Sequence, residues 1–106
     1  MSDAFGDRQK GFERKFQLDQ EQQFRAQVRR DRLFGQWAAG QLGKTGADAD
    51  KYAQEVVDSN FEKPGDEDML GKVTKDLKGK VSDADIRQKL QEFFGQAAQA
   101  VVGEKK

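Results

Sequence analysis

The segment from Phe24 to Gly46 most constrains how this chain can fold. Its first half is rich in charge, whereas its second half is apolar on nearly every side. At 100° per residue, Leu33 and Trp37 point away from the main apolar stripe, which consists of Phe24, Val28, Phe34, Ala38 and Leu42. A helix that is solvated along one half and apolar on both sides along the other must have its second half enclosed by neighbours. The pattern predicts the central helix of a small bundle.

Three later segments carry apolar residues at helical spacing, and turn signals separate them. Gly43 ends the first helix, Pro64 and Gly65 form a turn, and Asp66 is expected to cap the third helix. Ser82 and Asp85 have the spacing of a capping box for the fourth. The predicted helices span about 19–42, 47–62, 66–78 and 83–102. The expected core faces are Tyr52, Ala53, Val56, Val57 and Phe61; then Met69, Leu70, Val73 and Leu77; then Ile86, Leu90, Phe93, Phe94, Ala97 and Val101.

The sequence therefore predicts an all-α protein, in which a four-helix bundle over residues 19–106 follows a flexible amino-terminal arm, residues 1–18. On a helix, Phe5, Phe12 and Phe16 would share one face of this arm. Ordering about a dozen residues costs on the order of 12 kcal/mol, and burying three Phe side chains returns only about 5–9 kcal/mol. The arm is thus either unfolded until a partner accepts the Phe face, or an extension of the first helix that packs on the bundle.

Composition argues against an enzyme. The chain has no His and no Cys, so the commonest general base, the commonest metal ligand and the strongest nucleophile are missing. Gly43, Lys44 and Thr45 resemble the end of a phosphate-binding loop, but Ala38 stands where that motif needs its first Gly, and a helix precedes it. Magnesium at the acids of residues 66–68 is a weaker explanation than helix-start charges. We expect no metal and no cofactor.

Charge is balanced overall but unevenly distributed. There are 19 basic and 19 acidic residues, so general attraction to nucleic acid or to an anionic membrane is not expected. Arg25, Arg29 and Arg32 are spaced along one face of the first helix, beside Arg30. This face is either solvated or, together with Lys44, a contact for phosphates or carboxylates. No segment is apolar enough to span a membrane or to act as a secretion signal, and no long heptad pattern predicts a coiled-coil dimer.

Several segments together resemble one known family. They are Asp7-Arg8-Gln9-Lys10-Gly11-Phe12-Glu13-Arg14-Lys15-Phe16, Arg29-Arg30-Asp31-Arg32-Leu33-Phe34-Gly35-Gln36-Trp37-Ala38-Ala39, Leu42-Gly43-Lys44-Thr45-Gly46, Tyr52-Ala53-Gln54-Glu55-Val56-Val57, and Phe61-Glu62 with Asp66-Glu67-Asp68. The chain resembles the zeta inhibitor subunit of alphaproteobacterial F-type ATP synthases from about Asp3 through its last helix.

The resemblance implies a regulatory inhibitor of ATP hydrolysis that is monomeric when free and lies in the cytoplasm, peripheral to the inner membrane. Its arm would enter an interface between the alpha and beta subunits of the catalytic head, near the gamma rotor, and block rotation in the hydrolysis direction. The matching apolar anchors here are Phe5, Phe12 and Phe16, with polar contacts from Asp7, Arg8, Glu13 and Lys15. Weak ATP or ADP binding by the bundle stays open, and its nucleotide or docking contacts would be Arg25, Arg29, Arg32 and Lys44.

We predict that Gly11→Ala makes this protein a stronger inhibitor of ATP hydrolysis. Replacing Gly by Ala within a helix removes about 1 kcal/mol of ordering cost, so the arm would fold more readily when it binds. The measurement is ATP hydrolysis by the cognate ATPase, titrated with the two proteins. Equal or weaker inhibition by the variant would contradict the prediction.

Overall fold

The computed structural model of the protein describes residues 18–62 and 65–104, and the regular secondary structure within these ranges is all helical. The four helices are α1 (Gln20–Gln41), α2 (Gly46–Glu62), α3 (Glu67–Asp76) and α4 (Asp83–Glu104). Their ends lie within two residues of the positions expected from the sequence, and the expected four-helix bundle is confirmed. The candidate arm residues lie outside the described residues: Phe5, Asp7, Arg8, Phe12, Glu13, Lys15 and Phe16.

The helices form a ring in which α1 packs on both α2 and α4, and α3 closes the ring between them. The main core contains fully buried side chains from all four helices, including Phe34, Val56, Met69 and Ile86. A smaller cluster joins the start of α1 to the second half of α4, and Leu18 packs against it. The chain that leads into the bundle is therefore attached to α4 as well as to α1.

Two helix starts are fixed by side chains close in sequence. The Asp19 carboxylate accepts a hydrogen bond from the Gln22 amide at 2.7 Å, and the Gln22 side chain accepts one from the Asp19 amide at 3.1 Å. This complete capping box satisfies two amide groups that the first turn of α1 leaves without helical partners. At α4, Ser82 accepts from the Asp85 amide at 3.2 Å, as its spacing predicted.

The expected core faces are wrong at two large residues. Phe24 and Phe61 were assigned to buried stripes, but Phe24 is 55% exposed and Phe61 is 53% exposed. The buried row on α1 instead contains Ala26, Arg30, Phe34 and Ala38, which recur every four residues. At 100° per residue, Phe24 stands about 160° around the helix from Ala26 and about 120° from Arg30, which places it outside this row. Separately, none of the described helices is both long and apolar enough to cross a membrane.

Gly35 permits the close approach of α1 and α2. A Cβ atom at this position would lie 2.8 Å from the Ala53 Cα atom and 3.1 Å from the Val56 Cβ atom. The first of these distances is shorter than the packing of a protein interior allows, and the obstructing atom belongs to the backbone, so the helices would have to separate. Gly40, on the same helix, has open space around its Cα atom.

We therefore predict opposite effects for the same substitution at these two glycines. Gly35→Ala should lower the free energy of unfolding by about 1–3 kcal/mol, because overpacking outweighs the gain in helix propensity. Gly40→Ala should leave stability unchanged or raise it by up to about 1 kcal/mol. Urea unfolding followed by circular dichroism measures both, and a stabilised Gly35→Ala protein would refute the close-packing interpretation.

Candidate functional site

The most distinctive polar feature of the bundle is the side chain of Arg30, which is only 8% exposed. Its Nη2 and Nη1 atoms donate hydrogen bonds to the two carboxylate oxygens of Asp66, at 2.6 and 3.2 Å. Its Nε atom donates to Asp31 at 3.0 Å. The two carboxylates compensate the buried charge of the guanidinium. The bidentate geometry also fixes the position of Asp66.

Asn60, near the end of α2, completes this network. Its amide nitrogen donates to Asp31 at 2.8 Å and to Asp66 at 2.9 Å, while its carbonyl oxygen accepts from the Asp66 backbone amide at 3.1 Å. The four side chains therefore join α1, α2 and the turn that leads into α3. No buried side-chain nitrogen or oxygen in the described part of the chain is left without a hydrogen-bond partner.

The position of Asp66 corrects one expectation. Its side chain was expected to cap α3, but it makes no capping hydrogen bond and binds Arg30 and Asn60 instead. The residue also has φ of +71°, in the left-handed region, where Asp and Asn are tolerated better than most side chains. The tertiary contacts of the carboxylate compensate the strain of this backbone conformation.

Burial raises the pKa of the Asp31 carboxyl above its ordinary value of 3.8, although Arg30 and the Asn60 amide act in the opposite direction. Because the folded-state pKa is the higher one, the unfolded chain loses this proton more easily. The contribution of Asp31 to stability is therefore fully present below pH 3.8 and is lost as the pH rises through the raised value. The network orients groups from three elements and is not a large net source of stability.

A second polar cluster joins α2 to α3 around Tyr52. The hydroxyl of Tyr52 donates to Asp76 at 2.7 Å, and burial together with this bond raises the tyrosine pKa. Lys72 also bonds Asp76, at 3.3 Å, and its Nζ atom lies 4.9 Å from the centre of the Tyr52 ring. Lys44 lies on the same ring, 6.0 Å from its centre. Lys44 thus belongs to the surroundings of Tyr52.

The other predicted contact residues lie together on a different surface. Arg25, Arg29 and Arg32 line an open groove of about 620 Å³ along α1, together with Phe24, Val28 and Leu33. Arg25 pairs with Glu21 at 3.2 Å, and Arg32 contacts the Gln54 side chain at 3.4 Å. The structure therefore groups three of the four predicted residues and separates Lys44 from them. Lys44 is not among the residues that line this groove.

The acids at the start of α3 do not gather into a metal site, since Asp66 turns towards Arg30. Within residues 18–62 and 65–104, no group of three or more acidic side chains is arranged to hold a metal ion. The buried role of Arg30 does not follow from the helical spacing of the arginines of α1, which is also the spacing of an exposed face. The available signal was its place in the row Ala26, Arg30, Phe34 and Ala38, since an arginine at a core position implies a buried carboxylate partner.

These features define a class of protein, namely a small all-helical bundle whose buried charges are satisfied by one another. The family comparison shows to which family of such bundles the chain belongs. The sequence model described as ATPase inhibitor subunit zeta matches residues 1–100, so the chain belongs to that family. A search of curated proteins found no match. The family match confirms the resemblance drawn from the sequence and indicates a regulatory subunit that acts on an ATPase.

The Arg30 network provides a direct test of its structural role. We predict that Asp66→Asn lowers the free energy of unfolding by about 1.5–3 kcal/mol, since Arg30 loses charge-assisted hydrogen bonds while the left-handed backbone is still tolerated. Glu67→Gln makes the same charge change on an exposed neighbour and should stay within about 0.5 kcal/mol. Chemical unfolding of the two variants measures this difference. Equal effects would show that the Arg30 contact contributes little.

Proposed function

We propose that this protein inhibits ATP hydrolysis by the F-type ATP synthase of an alphaproteobacterium. In this proposal the arm, residues 1–18, enters an interface between alpha and beta subunits near the gamma rotor and blocks rotation in the hydrolysis direction. The bundle, residues 19–106, stays outside this interface and anchors the arm. The protein would be a monomer when free, in the cytoplasm, and attached to the membrane only through the catalytic head.

The observation that carries the proposal is the extent of the family match, which covers the arm as well as the bundle. The architecture of the described residues supports the same division of labour. The capping box at Asp19 fixes the start of α1, and Leu18 packs against the cluster shared with α4. A segment before Leu18 can therefore bind elsewhere while the bundle keeps its helices and core.

The proposed contacts of the arm follow from its sequence. Phe5, Phe12 and Phe16 would be the apolar anchors, and burying them at a subunit interface would compensate the cost of ordering the arm. Asp7, Arg8, Glu13 and Lys15 would supply polar contacts at the rim of that interface. Rim charges govern partner selection more than affinity, so the three Phe side chains are the residues on which inhibition should depend most.

A second candidate function is a regulatory bundle that binds ATP or ADP. The observation in its favour is the groove shared by Arg25, Arg29 and Arg32, which offers positive charge to a phosphate chain. Lys44 lies apart at Tyr52 and would not join them. Amide shift mapping with ATP and ADP separates the two functions, because shifts confined to α1 would need no arm. Nucleic-acid binding is less well supported, since the chain carries no net charge.

We predict that the arm is required for inhibition and that the bundle alone does not inhibit. The measurement is ATP hydrolysis by the purified cognate ATPase, titrated with the full chain and with a truncated chain that begins at Gln17. A full-length variant with Phe5→Ser, Phe12→Ser and Phe16→Ser serves as the matched control for chain length. Both altered proteins should keep the helical circular dichroism of the bundle and lose inhibition.

Three outcomes of this experiment are informative. Inhibition by the full chain alone would establish the arm as the inhibitory element. Inhibition by the truncated chain would contradict the proposed mechanism and locate the activity in the bundle. If neither chain inhibits while both bind the ATPase, the nucleotide-binding function becomes the better explanation.

A further inference from the structure

Two large aromatic side chains are exposed side by side at one end of the bundle. Phe24 on α1 and Phe61 on α2 are each more than half exposed, and their ring centres lie 5.9 Å apart at an angle of 58°. Single apolar residues are common on protein surfaces, whereas a contiguous apolar area that two helices share is a candidate binding surface. In the described part of the chain, no other large apolar side chain is as exposed.

The surface around this pair has a defined chemistry. Phe24 also lines the groove on α1, where half-buried Val28 and Leu33 extend the apolar area. Arg25, Arg29 and Arg32 border it along the same helix. We call the two rings together with this groove the aromatic patch. A surface with an apolar centre and a border of arginines has the composition of a binding site for an acidic protein.

The arginines can take part in such a contact despite their present bonds. The pair between Arg25 and Glu21 is solvent-exposed on both sides, with 59% and 75% of the side chains accessible. Exposed ion pairs of this type are weak, so a partner carboxylate can replace Glu21. On the α2 side, Asp58 accepts a hydrogen bond from Gln54, which in turn accepts from Arg32. The α2 edge of the patch is therefore the less positive one.

The location of the patch indicates which protein covers it. Phe24 follows Leu18 by six residues, and Gln20 onward is helical, so the patch begins about 10 Å from the point where the arm joins the bundle. Any surface that accepts the arm must lie next to this point. An exposed aromatic pair so close to the arm would face that same surface when the arm is bound.

We propose that the aromatic patch is a second binding surface for the ATPase head, which contacts an acidic and partly apolar area beside the cleft that accepts the arm. This inference rests on the proposed function only in its choice of partner. The arm supplies the inhibitory contact, and the patch holds the bundle against the head. Two linked contacts bind more tightly than either alone, because the first places the second at a high effective concentration.

The test is the affinity of the full-length chain for the purified cognate catalytic head, measured by biolayer interferometry. The double variant Phe24→Ser with Phe61→Ser should bind about ten-fold more weakly or worse, while Phe24→Leu, which keeps an apolar side chain, should bind nearly as well as the original. Thermal unfolding should show that the variants stay folded, since both rings are exposed.

Two charge-reversal variants test the proposal even if the double Phe variant fails to fold. Arg25→Glu should weaken binding, and the loss should shrink at high salt. Lys80→Glu makes the same charge change beside Trp37, at the opposite end of α1, and should leave the affinity unchanged. Equal effects of the two reversals, or unchanged affinity in every patch variant, would overturn the proposal.

Other occupants of the patch give distinct results. If analytical ultracentrifugation shows a dimer that Phe24→Ser dissociates, the patch is a contact between copies, and the proposal is overturned. It is also overturned if Phe24 becomes accessible only after the arm is removed, since the arm then covers it. A further result separates the two proposals: the original chain binds the head, the patch variants do not, and neither inhibits hydrolysis. That result would support the patch as a binding surface and contradict the proposed inhibitory function.

Discussion

The pairing of Arg30 with Asp66 is the constraint on which the arrangement of the helices depends. A guanidinium buried between α1 and α2 must have a carboxylate partner, because an unpaired charge in this position would cost several kcal/mol. Asp66 contacts it from a backbone with positive φ, at the residue directly before the start of α3. Asn60 then ties the end of α2 to the same carboxylate. One pair of charges thereby fixes how α3 leaves α2.

Local sequence rules account for the helices but not for this network. Spacing, glycine stops and capping residues act over three or four residues, so they identified both ends of α1 and the start of α4 to within one residue. Asp31, one carboxylate partner of Arg30, is its neighbour, but the other, Asp66, lies 36 residues further along the chain. No periodic pattern encodes a contact at that separation. For the same reason Asp66, which has every local property of a helix cap, was assigned the wrong role.

The exposed aromatic residues illustrate the opposite error. Phe24 and Phe61 satisfy the spacing of a buried stripe, and hydrophobicity alone places them in the core. Their exposure follows from the packing of α1, where the row that contains Phe34 and Ala38 faces the neighbouring helices and Gly35 brings α2 close. Once α1 is oriented by those contacts, Phe24 lies outside the interface. Sequence rules fail most often where a residue serves something other than the fold, as we propose for this exposed pair of rings.

In the proposed mechanism, the same geometry would let a small bundle support an arm that binds weakly by itself. Ordering a free segment is costly, and the cost is the same whether or not a bundle follows it. The bundle would add a second contact, between the aromatic patch and the head. This contact is intramolecular once the arm has bound. Because α1 is helical from Gln20 and Leu18 is packed against α4, little flexible chain separates the arm from Phe24. A short, stiff connection loses little entropy when both contacts form, so an anchoring surface is most effective directly beside the arm.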